Sequence, residues 1–188
     1  MLRRLFKKKK MGTTYSWVKI ENGIFEGKSL FLPESWGYKV INGDHESEII
    51  DTMQSVVNDE AVFYDIGAHY GWFSLAWLSL GGNHVEAFEP SIANSNIIKK
   101  TLDSNSLNDM VRLHNFALGE KSEKGVLELY PGDSSRNFIS KEEAEKQSNS
   151  ENIDVKSIDD IYDDLSLKNP DLIKIDVEGF EKEVLLGA

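Results

Sequence analysis

Four acidic side chains and two glycines carry most of the chemistry this sequence offers. Asp65, Gly67 and Gly71 fall together in VFYDIGAHYGWFS, directly after an apolar run; Glu89 closes HVEAFE; Asp176 and Glu178 close LIKIDVEG. Glycines four residues apart let a backbone turn sharply and let a ligand approach closely. The start of the helix that follows presents N–H groups and the positive end of a dipole to a carboxylate or phosphate. Asp65 is placed to brace that loop. Glu89 lies 22 residues beyond Gly67, where an acid on the next strand meets the hydroxyls of a ribose. Together these residues describe a nucleoside site.

The spacing also bears on which nucleoside. A dinucleotide loop needs G-x-G-x-x-G, and GAHYGW has His69 and Trp72 where the second and third glycines would stand. NAD and FAD are disfavoured on that ground, though a nucleotide-dependent oxidoreductase stays open as the rival enzyme class. The phosphate loop G-x-x-x-x-G-K-[ST] is absent. D-x-G-x-x-x-G followed by Glu89 suits S-adenosylmethionine better, with its amino-acid end at the helix start and its ribose at the acid.

The elements that must hold these residues follow from periodicity. VKIENGIFEGKSLFL, residues 18–32, predicts two strands around an Asn22-Gly23 turn. After Pro33 and a turn at Gly43, Ile49, Ile50, Met53, Val56 and Val57 recur at helical spacing. Strands are expected at 61–66, 84–89, 111–117 and 125–130, with helices at about 71–80 and 91–102 between the first three. The first of those helices is apolar almost all round and should be buried, which makes Trp72, Phe73 and Trp77 core residues. Residues 131–153 turn polar and contain KEEAEK; they predict an excursion over the site or a solvated loop with a short helix. Ser157 and Asp160 open a short helix as a capping box, LIKID at 172–176 predicts a buried strand, and GFEKEVLLG predicts a final helix. Alternation of this kind gives a parallel sheet with helices on both faces, whose carboxyl-end strand tips converge on one crevice.

Composition bounds the partners. Six of the 21 basic residues lie in MLRRLFKKKK, so the other 178 residues carry 15 basic against 32 acidic groups. A body that acidic repels phosphate backbones, so no nucleic-acid partner is expected. The basic head is a solvated tail or a weak contact with an anionic membrane surface. No apolar stretch is long enough to span a bilayer. Cysteine is absent, which excludes disulfides and thiolate chemistry and makes the cytoplasm the default location.

DIGAHYGWFS, VEAFEPS, LHNFALGE and IKIDVEGFEKEVLLGA follow one another in the order and spacing of a known family. Over about residues 40–188 the chain resembles the FkbM-type S-adenosylmethionine-dependent methyltransferases. The resemblance implies a Rossmann-like class I methyltransferase fold over residues 45–188, behind a basic tail at 1–12 and a β-rich front lobe at 13–44. It gives Asp65, Gly67, Ala68 and Gly71 to the cofactor loop, Glu89 to the ribose, and Asn115 and Ala117 to the adenine side. Asp176 and Glu178 fall on the family's acidic signature facing the acceptor. His69 departs from the pattern, which usually has Asn there.

Methyl transfer to oxygen needs an aligned acceptor and a group to take the hydroxyl proton. Asp176 is the first candidate for that base, Glu178 and the His69 imidazole follow, and His45 is weaker. His84 and His114 sit in strands and suit structural roles. Two acids are few ligands for a divalent cation, so no metal site is assigned. Ser134, Ser135, Arg136 and Asn137 form a polar cluster suited to a hydroxylated acceptor or to a plain loop. The resemblance implies O-methylation of a sugar, glycan or related metabolite in polysaccharide biosynthesis. A catalytically silent cofactor-binding module is the alternative outside enzymology. The chain ends at LLGA, directly after the helix that follows the last strand, so a C-terminally truncated sheet is expected.

Overall fold

The structure is a computed structural model and describes residues 14–42, 45–130, 134–140 and 149–188. The basic head, the turn at Gly43 and KEEAEK lie outside the described residues. A parallel sheet stands at the centre, built from β3 (Val62–Ile66), β4 (His84–Phe88), β5 (Val111–His114) and β10 (Leu172–Ile175) in the order β10-β3-β4-β5. Lys174 lies beside Asp65 in the β10–β3 register, and Glu86 lies beside Arg112 between β4 and β5.

All five residues of β3 are buried, as a central parallel strand covered on both faces requires. On one face α3 (Trp72–Ser79) stacks Trp77 on Phe63 with ring centroids 5.2 Å apart, and six of its residues are buried. Helices α2 (Ser47–Val56) and α4 (Ile92–Asn105) complete that layer with Ile50, Met53, Ile97, Ile98 and Leu102. Across the sheet, Val62, Tyr64, Ile66 and Phe88 meet Ile161 of α5 (Ile158–Ile161) and Val184 of α6 (Glu181–Leu186). Ser157 caps α5 by accepting from the Asp160 N–H, as its spacing predicts.

The front strands β1 (Tyr15–Lys19) and β2 (Ser29–Pro33) pair antiparallel, but a single turn of 3-10 helix at Gly23–Phe25 replaces the expected two-residue turn. Phe25 is drawn inward to stack on Trp72 at 4.1 Å, which a tight turn would prevent. The hairpin's Ile20, Leu30 and Leu32 belong to the same buried cluster as Phe63 and Trp77. The free edge of β2 is satisfied by side chains of α4: Asn105 accepts from Ser29 N–H and donates to Ser29 O, while Thr101 accepts from Phe31 N–H. That docking carries α4 three residues past its expected end. A helix at Glu34–Val40, α1, was not anticipated.

Three further expectations are corrected. The strand at 111–117 breaks after His114, and β6 (Ala117–Leu118) leaves to pair with β9 (Ser150–Lys156). The excursion at 131–153 is largely β-structure within its described residues: β8 (Phe138–Ser140) and β9 flank β7 (Glu123–Glu128) in a second sheet of order β6-β9-β7-β8. Its apolar residues alternate one in two, with Leu127, Ile153 and Val155 buried beneath polar neighbours, and the surrounding charges mask that period. Finally, β10 is an edge strand of its sheet rather than a fully buried one, with Ile173 44% exposed.

Candidate active site

The tips of β3, β4 and β10 are laced together by backbone hydrogen bonds. Gly67 and Ala68 N–H both donate to Phe88 O at 3.0 Å, Asp176 N–H donates to Ile66 O at 3.1 Å, and Glu89 N–H donates to His114 O at 3.0 Å. Gly67 sits at φ 75°, and a Cβ there would lie 2.0 Å from the Asp176 carbonyl oxygen. Its lack of a side chain therefore admits the neighbouring strand tip, whereas the sequence suggested room for a ligand. Gly71, at φ 79°, is the N-cap of α3 and leaves space for Ile98.

Asp65 is fully buried and braces the loop: its Oδ2 accepts from Ser74 N–H at 3.0 Å and from Ser74 Oγ at 2.7 Å. Its Oδ1 has no hydrogen-bond partner among the described residues, and the Lys174 Nζ lies 3.6 Å away. That ammonium donates to Gly67 O at 2.8 Å and stands 3.6 Å from Asp176 Oδ2. Lys174 thus ties the loop, the brace and the acidic strand tip with one charge. Sequence reading passed over it because lysine is usually solvated, yet its place two residues before Asp176 puts both side chains on one side of the strand.

Glu89 is 5% exposed. Its Oε2 accepts from His69 N–H at 2.8 Å, and its Oε1 accepts from Ser91 N–H at 2.9 Å and Asn94 Nδ2 at 3.3 Å. Burial pushes its carboxyl up to about 7, against the opposing pull of the Ser91 and His69 N–H groups, Asn94 and Lys174. An ionised carboxylate offers about four lone-pair sites, so one on Oε2 stays open to a further donor. The other buried acid, Glu86, is satisfied within the protein: His114, Arg112 and His84 reach it at 2.6, 2.9 and 3.0 Å. Burial acts to raise its carboxyl, but the His114 and His84 hydrogen bonds and the Arg112 charge together hold it below the usual range. The His84 and His114 side chains are thereby placed in a structural network around Glu86.

A cavity of about 410 Å³ opens at these tips. Gly67, His69, Glu89, Ala117, Asp176 and Glu178 line it; Asp65, Ala68, Gly71 and Asn115 do not. Asn115 was expected on the adenine side, but its carboxamide donates to Glu89 O, Pro90 O and Ser95 Oγ at 2.9, 3.1 and 3.0 Å. It shapes the loop that carries Glu89 from behind the wall. Asp176 is 64% exposed at its side chain, and Glu178, also exposed, holds φ 50°. Neither caps α6; Glu181 Oε1 accepts the Val177 and Gly179 N–H groups at 3.4 and 3.1 Å instead. Both acids are left with their carboxylates at the cavity mouth.

His69 holds φ 52°, a left-handed conformation in which Asn, Asp and His are enriched, so histidine meets the backbone demand that Asn would meet. Its ring lies 3.6 Å from that of Tyr70 and 5.1 Å from that of Trp36, and its Nε2 bonds Ser134 Oγ at 2.8 Å. Ser134 also bonds Tyr70 OH. The polar cluster read at 134–137 is thus brought to the site, with Ser134 and Asn137 in the wall. His45 lines it as well, its ring 5.3 Å from Trp36 and its carbonyl accepting from Trp72 Nε1. Among the described residues no group of three or more His, Asp or Glu is arranged to hold a metal ion.

Residues 65–188 match the model of the methyltransferase FkbM domain. Among solved structures, the chain is similar to a methyltransferase FkbM from Methylobacillus flagellatus, with 24% identity, a TM-score of 0.45, and 81% of this chain against 39% of that one covered. It is similar also to yhhF of Escherichia coli, assigned to the methyltransferases, at 20% identity, TM-score 0.43 and coverage of 54% and 53%. The chain spans about half or less of the length of these structures. No curated protein matches it. With two thirds of its length covered by the family model, including every strand tip that lines the cavity, the chain belongs to the FkbM methyltransferase domain family.

Proposed function

We propose that the chain binds S-adenosylmethionine in the strand-tip cavity and transfers its methyl group to a hydroxyl of a sugar, glycan or related metabolite. The observation that carries the reading is the division of the cavity wall. One side holds a buried carboxylate, Glu89, with one acceptor site left; the other presents two exposed carboxylates, Asp176 and Glu178. The residues present fit the cofactor: Glu89 Oε2 would accept a ribose hydroxyl, and the buried Phe88, Ala117 and Leu118 give an apolar wall beside it. A volume near 410 Å³ is within the usual range for a ligand of this size.

Bound there, S-adenosylmethionine supplies an electrophilic methyl on a positively charged sulfur. Asp176 accepts the hydrogen bond of the acceptor hydroxyl, holds it in line, and takes its proton as the oxygen becomes methylated. Lys174 keeps the Asp176 carboxylate beside Gly67. Glu178 and the His69 imidazole border the same opening and orient the acceptor; Nε2 of His69 would have to leave Ser134 to act as a base. We place the reaction in the assembly of sugar polymers, on the cytoplasmic side of the membrane.

The experiment pairs binding with turnover. Titration calorimetry with S-adenosylhomocysteine is run beside release of that product from S-adenosylmethionine and a panel of methyl pyranosides. Product release that collapses in Asp176→Asn while S-adenosylhomocysteine still binds supports the enzyme. Turnover equal to wild type in that variant refutes the role of Asp176, and binding without turnover by wild type favours the silent module.

A further inference from the structure

A second cavity, of about 310 Å³, lies beside the first, between the front hairpin and the β7–β8 sheet. Trp36, Tyr70, Asn94, Ser134 and Asn137 stand in the walls of both, so the Ser134 bridge between His69 and Tyr70 marks where they meet. The lining has two characters. Tyr15, Trp36, Tyr70 and Tyr130 supply aromatic rings, and Glu151 supplies a carboxylate. Glu151 Oε2 is buried and accepts no hydrogen bond among the described residues. A buried acceptor without a donor costs on the order of 1–3 kcal/mol, which a ligand hydroxyl would offset. Among the described residues no lysine or arginine lines the cavity, and the Arg136 guanidinium beside it is stacked 3.9 Å over the Tyr130 ring.

We infer that this second cavity is a subsite for a neutral sugar ring of the acceptor, adjoining the ring that is methylated, with Glu151 as its hydrogen-bond acceptor. Ring C–H faces pack on aromatic side chains, while hydroxyls supply the donor that Glu151 Oε2 lacks. Uronic acids and sugar phosphates are disfavoured by the same wall, because their charge would be desolvated beside the Glu151 carboxylate with no cation among the described lining residues. The inference rests on the reading that the acceptor is a glycan, and it adds where a second sugar ring sits and what charge it carries.

Saturation-transfer NMR tests it on the full chain with S-adenosylhomocysteine present, using neutral methyl pyranosides as probes and methyl glucuronide as the charged comparison. The expected result is transfer to at least one neutral ring and none to the glucuronide. Glu151→Ala and Tyr130→Ala should each weaken that binding roughly tenfold or more, as loss of one charge-assisted or stacking contact does. Glu151→Gln, which keeps an acceptor oxygen, should lose less. Saturation transfer to no neutral ring, equal binding of the glucuronide, or unaltered affinity in both alanine variants overturns the inference. Calorimetric binding of S-adenosylhomocysteine in the same samples keeps the two readings apart: its loss in wild type overturns the cofactor site, while its presence without sugar binding overturns only the subsite.

Discussion

The tips of β3 and β10 lie side by side and are built in opposite ways. At β3, Asp65 is fully buried and Glu89, at the adjoining tip of β4, is nearly so; Asp65 accepts a backbone N–H from α3 and Glu89 accepts two from the loops around it. At β10 the backbone is fixed through Asp176 N–H, but the Asp176 and Glu178 side chains face outward. The contrast teaches a division of labour. A nucleoside is the same in every catalytic cycle and repays a rigid, prearranged cradle, whereas an acceptor hydroxyl must arrive, lose a proton and leave. Lys174 is the link, with one ammonium donating into the rigid loop and attracting the exposed acid.

Breaking the exposed half should give the largest effect. Asp176→Asn is expected to lower turnover by roughly 10²–10⁴, the usual contribution of a positioned base, with S-adenosylhomocysteine affinity held within about twofold. Calorimetry and product-release assays on one preparation check both numbers.

Cutting the link comes next. Lys174→Met leaves the buried Asp65 carboxylate facing no cation, and removing one partner of a buried pair costs about 3 kcal/mol. Urea denaturation should show that loss as a lower midpoint with an unchanged slope. The double variant Lys174→Met, Asp65→Asn should recover part of it, since the stranded charge is then gone.

The rigid half has a pH signature. Glu89 carries a folded value of about 7 against an ordinary 4.5. Between those values the folded chain holds a proton that the unfolded chain has released, so stability falls as pH rises through that window. Glu89→Gln should flatten that part of the stability profile, read by thermal melts from pH 4 to 8. Ribose binding runs the other way: an ionised Glu89 is the stronger acceptor, so cofactor affinity should rise as pH passes about 7. The smallest effect lies away from both tips, where Ser157→Ala removes the α5 cap and should cost about 1 kcal/mol without changing turnover.

Much of the rigid half was legible in the sequence. A fully apolar strand, two glycines and acids at strand ends are local signals, and β3, β4 and α3 lie within a residue or two of where periodicity puts them. What was not legible depends on partners far along the chain. The break after His114 depends on β6 leaving to pair with β9, with Asn115 tying the loop behind Glu89. The extra turn of α4 depends on Asn105 pairing with Ser29, 76 residues away. Gly67 was read correctly as a position that requires glycine, but for a different reason, since its neighbour is the Asp176 carbonyl. The second sheet was hidden because its alternating apolar residues lie among charges, and Lys174 because one lysine gives no local pattern.

Titration calorimetry of S-adenosylhomocysteine into wild type, Glu89→Ala and Asp176→Asn at pH 8 tests the central division most directly. The account predicts one site in wild type, affinity reduced roughly tenfold or more in Glu89→Ala, and affinity nearly unchanged in Asp176→Asn. Absence of binding in wild type, or equal weakening by the two substitutions, would contradict it.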